Sequence, residues 1–249
     1  MTERPEIHYI EEVDSTNREL WRWLDADPLL PEFTVIRAGG QTAGRGLGDT
    51  TWESETGKNL LFSVLLKPTF LDPAAQFMLN KAMSLGIREA IARFCPQLAI
   101  SIKWPNDMYA AGKKIGGTLV ENRIMGKTME ATVAGTGINV NQKHFPASLP
   151  NPSSLNRLTG TTFDVPEVLH GILSAVRRHA HILREGHWAA IDAAYLQHLL
   201  GYGEQNTFVA GGDPFRAEIV GIDPYGKLLL RDATGRTTAY GIKEVAMQH

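Results

Sequence analysis

The chain has 249 residues, a formal net charge of −2, 43% hydrophobic and 21% charged residues, and a single cysteine, Cys95. That length and composition predict one large domain, or one ordinary domain plus a small one, around a real core, and exclude disorder. Near-neutrality argues against a general nucleic-acid binder, which carries a basic surplus, and one cysteine excludes an internal disulfide framework and fits a reducing cytoplasm.

In chain order, Met1 to Glu6 is polar, so no secretory signal is read there. Tyr9 to Val13 reads as a short strand. A helix follows from about Thr16 to Leu24, where Thr16 and Glu19 have capping-box spacing. Phe33 to Ala38 is rich in β-branched residues and reads as a strand, and Gly39 to Gly48 as a glycine-rich loop. Leu60 to Leu66 is an apolar run of strand length, far too short to span a bilayer. Ala74 to Phe94 has helical periodicity and stops before Pro96. Ile100 and Ile102 alternate into Lys103-Trp104-Pro105-Asn106-Asp107. Ile115 to Glu121 and Thr128 to Val140 read as strands joined by a turn over Asn122 to Lys127. Asp164 caps a second strong helix whose face is Val168, Ile172, Val176, His179 and Leu183. His179 and His181 point to different sides of it and read as structural. A last helix is expected from Trp188 to Leu200, before Gly201. From Thr207 the pattern changes to short β runs (Phe215 to Ile222, Lys227 to Arg231, Arg236 to Tyr240) between Gly, Asp and Pro turns. This predicts two units, residues 1–203 and a small β module at 204–249.

Three segments carry candidate chemistry. Gly39 to Gly48 holds five glycines and Arg45. Such backbone turns sharply and can surround an anion, and it equally suits a flexible surface loop. It has neither P-loop nor dinucleotide-fold spacing. Lys103 to Asp107 lies at a strand end, where ligands often bind, and a polar turn reads as well there. Asn106 and Asp107 are residue types that can hold Mg²⁺. Lys113-Lys114-Ile115-Gly116-Gly117 and Gly135-Thr136-Gly137-Ile138-Asn139-Val140 again set lysines beside glycines, or form tight strands. Residue chemistry alone reaches a soluble α/β protein with a site for a nucleotide-like anion.

Taken in order, these segments resemble the biotin–protein ligase family. Ser15-Thr16-Asn17, Gln41 to Gly46, Trp52 with Ser54, Lys103 to Asp107, Lys114 to Gly117 with Glu121, and Gly135 to Val140 match that family's motifs across about Val13 to Asn141. The resemblance implies an α+β fold with a mixed central sheet, similar to class II aminoacyl-tRNA synthetase and lipoate ligase cores, plus an SH3-like barrel. It implies ATP-dependent formation of biotinyl-5′-AMP and transfer of biotin to a lysine of a biotin carboxyl carrier protein. Lys103 and Arg45 are then the catalytic cations. Ser15, Thr16, Asn17, Gln41, Gly44, Arg45, Gly46, Lys103, Gly116 and Gly117 would meet biotin. Arg45, Trp52, Lys103, Asn106, Lys114 and Asn139 would meet ATP and the adenylate, with Mg²⁺ arriving on the nucleotide. The catalytic pattern starts near residue 8, so the short form without a DNA-binding domain is expected, acting on no nucleic acid or membrane, as monomer or homodimer. The departures are Leu47, where many members have a second arginine, and Asp49, where they have glycine. The alternatives are a lipoate or octanoate ligase and a non-catalytic biotin sensor.

Overall fold

The fold begins with a β–α–β unit in a computed structural model that describes residues 6–48 and 50–248. The polar start before Glu6 and the departure at Asp49 therefore lie outside the described residues. Strand β1 (Ile7–Val13) pairs in parallel with β2 (Val35–Gln41), and helix α1 (Thr16–Ala26) makes the crossover. Antiparallel strands extend the sheet: β3 (Leu60–Leu66), β4 (Ile100–Lys103), β5 (Asp107–Ala110), β6 (Lys113–Met125) and β7 (Thr128–Ile138). The order is β1-β2-β3-β7-β6-β5-β4, a mixed sheet as expected.

Every residue of β3 is buried, so both faces of the sheet are covered there. Leu60, Phe62, Val64 and Leu66 join the main core, and Leu65 joins Leu20, Leu24 and Ile36 on the α1 face. The main-core face carries α2 (Phe77–Phe94), the short α3 (Leu155–Thr159), α4 (Val165–Arg184) and α5 (Trp188–Gln197). Helices α2 and α4 approach closely: a Cβ on Gly86 would come within 2.7 Å of Val176 Cα. The α4 face is as the sequence implies. Its N-cap Asp164 accepts from Glu167 N at 2.8 Å, Val168, Ile172, Val176 and Leu183 are buried, and His179 is paired with Glu89 at 2.9 Å. His181 is exposed on another side.

The second unit of structure is a five-stranded antiparallel sheet, ordered β11-β10-β9-β8-β12. Its strands are β8 (Gln205–Ala210), β9 (Asp213–Ile222), β10 (Leu228–Asp232), β11 (Thr237–Tyr240) and β12 (Ala246–Met247). Phe208, Ala217, Ile219, Leu228 and Leu230 are continuous with the main core.

Several expected boundaries move. Gly39 and Gly40 belong to β2 rather than to a loop, because a Cβ at Gly39 would strike the Glu11 carbonyl of β1 at 2.6 Å. The Thr16–Glu19 capping box does not form. Ser15 is the N-cap without a side-chain cap bond, Thr16 turns to Gln41, and Glu19 bonds Arg22 and Trp23. Helix α2 starts at Phe77, after a 3₁₀ turn over Pro73–Ala75. Strand β6 continues through Asn122 to Met125, so the turn is only Gly126-Lys127. Helix α5 stops at Gln197, because His198 and Leu200 bond the backbone of Ile102 at the edge of β4. Strand β5 and helix α3 were not expected.

Candidate active site

The site is built on the α1 face of the sheet, from two cross-strand rows that share that face. One row runs Lys103, Asp107, Gly117, Gly137, Leu61, and the next runs Leu119, Gly135, Ser63. Directly opposed residues of an antiparallel pair point to the same side, so the glycines leave a bare floor between side-chain walls. Neighbouring side chains use that room. A Cβ at Gly137 would lie 2.4 Å from the Trp52 ring, at Gly135 2.0 Å from Asn17 Oδ1, and at Gly117 2.8 Å from Asp107 Oδ1. Above the floor is a cavity of about 430 Å³. That is within the usual range for a small-molecule site.

One end of the cavity is neutral and polar. The N-terminus of α1 presents Ser15, Thr16 and Asn17, all buried. The Thr16 amide donates to Gln41 Oε1 at 2.8 Å, with the hydroxyl 3.1 Å away. Ser63 Oγ donates to Asn17 Oδ1 at 2.6 Å and lies 2.8 Å from Thr16 Oγ1. Asn17 Nδ2 donates to Glu121 at 2.8 Å, and Glu121 accepts from Arg45 at 2.7 Å. A single hydrogen-bonded chain thus joins Gln41, Thr16, Ser63, Asn17, Glu121 and Arg45. The sequence does carry a signal for Ser63, one hydroxyl inside the apolar run Leu60 to Leu66.

The other end is charged. Lys103 and Asp107 face each other across the β4–β5 hairpin, whose turn contains a cis Trp104–Pro105 bond. Asp107 is ion-paired with Lys114 at 2.7 Å, and Lys114 also lies 5.8 Å from the centre of the Trp52 ring. Lys103 sits over the Tyr109 ring at 5.3 Å. Burial pushes the Lys103 pKa below the usual lysine range, opposed by Asp107 and assisted by Lys114. Burial, with Asp107 beside it, pushes Tyr109 up to about 12. Trp52 Nε1 and Asn139 Oδ1 are buried without a hydrogen-bond partner among the described residues. Both line the cavity, so a ligand offering one acceptor and one donor would satisfy them.

Of the expected site residues, Ser15, Thr16, Asn17, Gln41, Arg45, Gly46, Trp52, Asn106, Lys114, Gly117 and Asn139 line this cavity. Gly44 and Gly116 lie behind its wall, against the Trp52 carbonyl and Ile138. Lys103 stands one step outside the lining, at the end of the floor row. The Arg45 guanidinium is occupied by Glu121 rather than open, and Asn106 donates to the Thr118 carbonyl. Not anticipated were the wall formed by Phe145, Leu149, Pro150 and Pro152, and Lys243, which enters from beyond β11. Among the described residues there is no group of three or more His, Cys, Asp or Glu able to hold a metal, and no helix long and apolar enough to cross a membrane.

A mixed sheet with a glycine floor, a polar end and a cation-bearing end, joined to a small antiparallel sheet, frames a cavity suited to a small molecule that carries both neutral polar and anionic groups. The family model described as "Biotin/lipoate A/B protein ligase family" matches residues 9–139, and the chain belongs to that family. The chain is 30% identical over 230 residues to a biotin–[acetyl-CoA-carboxylase] ligase of Paracoccus denitrificans, covering 90% of this chain and 93% of that one. It is 32% identical over 222 residues to the bifunctional ligase/repressor BirA of Bacillus subtilis, covering 86% of this chain but only 65% of that protein's length. Its structure aligns with that of the Aquifex aeolicus biotin protein ligase in complex with biotin and ATP. The TM-score is 0.81 at 26% identity, over 98% of this chain and 99% of the other.

Proposed function

We propose that this chain is a biotin–protein ligase that forms biotinyl-5′-AMP from biotin and ATP and passes biotin to a lysine of a biotin carboxyl carrier domain. The observation that carries this reading is the continuous cavity. Its hydrogen-bonding end suits an uncharged bicyclic head, and its far end sets Lys114 in the lining and Lys103 just beyond it, along a glycine floor. In this reading Ser15, Thr16, Asn17 and Gln41 meet the ureido group, while Trp52 and Asn139 meet the nucleotide. Residues 1–203 act as the catalytic unit, and 204–249 as the module that supports it.

Two anions must approach each other in the first step. A biotin carboxylate oxygen attacks the α-phosphorus, and pyrophosphate leaves with its electron pair. Preorganised cations lower that barrier without reorganising during the reaction. Lys103 is the residue we assign to bridge carboxylate and α-phosphate, because it shares the floor row and, among the described residues, its charge is not spent in an ion pair. Lys114 neutralises Asp107 and adds to the same field. Mg²⁺ would arrive with ATP and offset the triphosphate charge, with Asp107 the carboxylate at hand to hold it. In the second step the carrier amine attacks the acyl carbon and AMP departs. Asp107 is the group we assign to take up the proton.

Incubation with biotin, MgATP and a carrier domain, read by mass, tests the proposal directly. The expected result is one biotinyl addition on one lysine. Modification by lipoate or octanoate instead would move the reading to the rival ligases, and biotin binding without any transfer would leave a sensor.

A further inference from the structure

Lys243 is not among the site residues expected from the sequence. It stands between β11 and β12, a position that no motif reaches. Its φ of 70° puts a non-glycine residue in the left-handed region. Residues held there persist where the surroundings enforce them, and such positions cluster at functional sites. Here the surroundings are the glycine-rich loop. The Lys243 side chain lies across Gly48, itself at φ 64°, so closely that a Cβ at Gly48 would meet Lys243 Nζ at 2.2 Å. Lys243 lines the cavity from its exposed rim, with the ammonium over the glycine-rich loop. The other two cations of the lining are already paired, Arg45 with Glu121 and Lys114 with Asp107. Among the described residues Lys243 has no carboxylate partner.

We infer that Lys243 is a substrate-binding residue for the β- and γ-phosphates, contributed to the active site by the C-terminal sheet. This rests on the proposed adenylation. The charges of that reaction divide the cavity. Biotin and the adenylate must be kept from water, whereas pyrophosphate must leave. An unpaired cation on the exposed rim attracts the most highly charged part of the nucleotide. It also stabilises charge as the bond from the α-phosphorus to its bridging oxygen breaks and the electron pair departs with pyrophosphate. No proton moves in that step. Because Lys243 reaches over Gly48, phosphate binding would also hold the glycine-rich loop against the C-terminal sheet.

Two variants test this by ATP–pyrophosphate exchange. Lys243→Gly removes the charge and suits the left-handed backbone, so the fold is retained. Lys243→Arg keeps the charge. In Lys243→Gly the KM values for MgATP and for pyrophosphate rise about tenfold, the size expected for losing one charge-assisted contact. The KM for biotin does not follow, and Lys243→Arg recovers most of the loss. Unchanged MgATP and pyrophosphate KM values in Lys243→Gly would overturn the assignment alone, as would an arginine variant no better than glycine. A parent protein that exchanges no pyrophosphate with biotin present would instead overturn the adenylation on which it rests.

Discussion

The Lys103 ammonium lies half-buried over the Tyr109 ring, and burial lowers its pKa. Below that lowered pKa both folded and unfolded chains carry the proton, and only the folded chain bears the desolvation cost. The cost is relieved as pH rises from the folded-state pKa toward the unfolded reference of ~10.4. Lys103 therefore favours the fold more at alkaline pH, while the charge assigned to adenylation is lost over the same window. Pyrophosphate exchange is expected to fall on the alkaline side at a lower pH than an exposed lysine would impose. Lys103→Ala should abolish exchange with the fold intact. Lys103→Arg should be slower but move the alkaline limb upward, since arginine does not lose its proton there. A limb that stays put in the arginine variant belongs to another group. The glycine floor gives a second test. Gly137→Ala drives a methyl group into Trp52, and Gly135→Ala drives one into Asn17. Overpacking of this kind costs about 1–3 kcal/mol, readable from the urea midpoint. The KM for ATP should respond to the first change and the KM for biotin to the second; a reversed pattern would exchange the two ends of the cavity.

Among the elements, the β4–β5 hairpin is held from behind by α5. The Tyr195 hydroxyl is buried and donates to the Pro105 carbonyl at 2.7 Å. Lys81, on α2, lies between the Phe77 and Tyr195 rings at 5.5 and 5.9 Å from their centres and is ion-paired with Asp192 of α5 at 2.6 Å. The two partners are unequal, 7% exposed for Lys81 and 47% for Asp192. Removing Asp192 strands a buried charge, whereas Lys81→Met replaces that charge with a similar volume. Asp192→Ala should cost about 1–2 kcal/mol, discounted for the exposed partner, and Lys81→Met less. Equal losses by thermal or denaturant unfolding would show that the pair acts only through packing. Tyr195→Phe leaves the Pro105 carbonyl unpaired, at about 1–3 kcal/mol, and should slow adenylation by loosening the hairpin. Strong patterns in the sequence translate directly into elements: the apolar run that became β3, the α4 stripe, and the Asp164 cap. Asp107 to Ala110 is too short to show a period of its own, and becomes β5 only because β4 and β6 flank it. The glycines at 135 and 137 announce close approach, but only the fold reveals that Asn17 and Trp52 make it. Lys243 gives no local signal at all, since its role depends on where a separate sheet docks.

At the scale of the whole molecule, the two sheets share one hydrophobic core and meet behind the site. The Trp104 indole donates to the Gly226 carbonyl at 2.9 Å, and a Cβ on Gly226 would collide with the Phe77 ring at 2.4 Å. Deleting residues 208–249 removes this acceptor, uncovers Phe77 and takes away Lys243. Pyrophosphate exchange by the truncated chain should be lost or severely reduced; a rate equal to the parent's would make the second sheet dispensable for the first half-reaction. The bond from Trp104 to Gly226 also carries a timing consequence. A ribosome makes the hairpin at 103–107 long before it makes residue 226, and N-terminal segments fold first during synthesis. The half-made chain therefore lacks one support of the hairpin to which the proposed reaction assigns Lys103. Chains stalled on the ribosome short of Gly226 would lack this support, so the proposed acyl activation should wait until translation has delivered the second sheet.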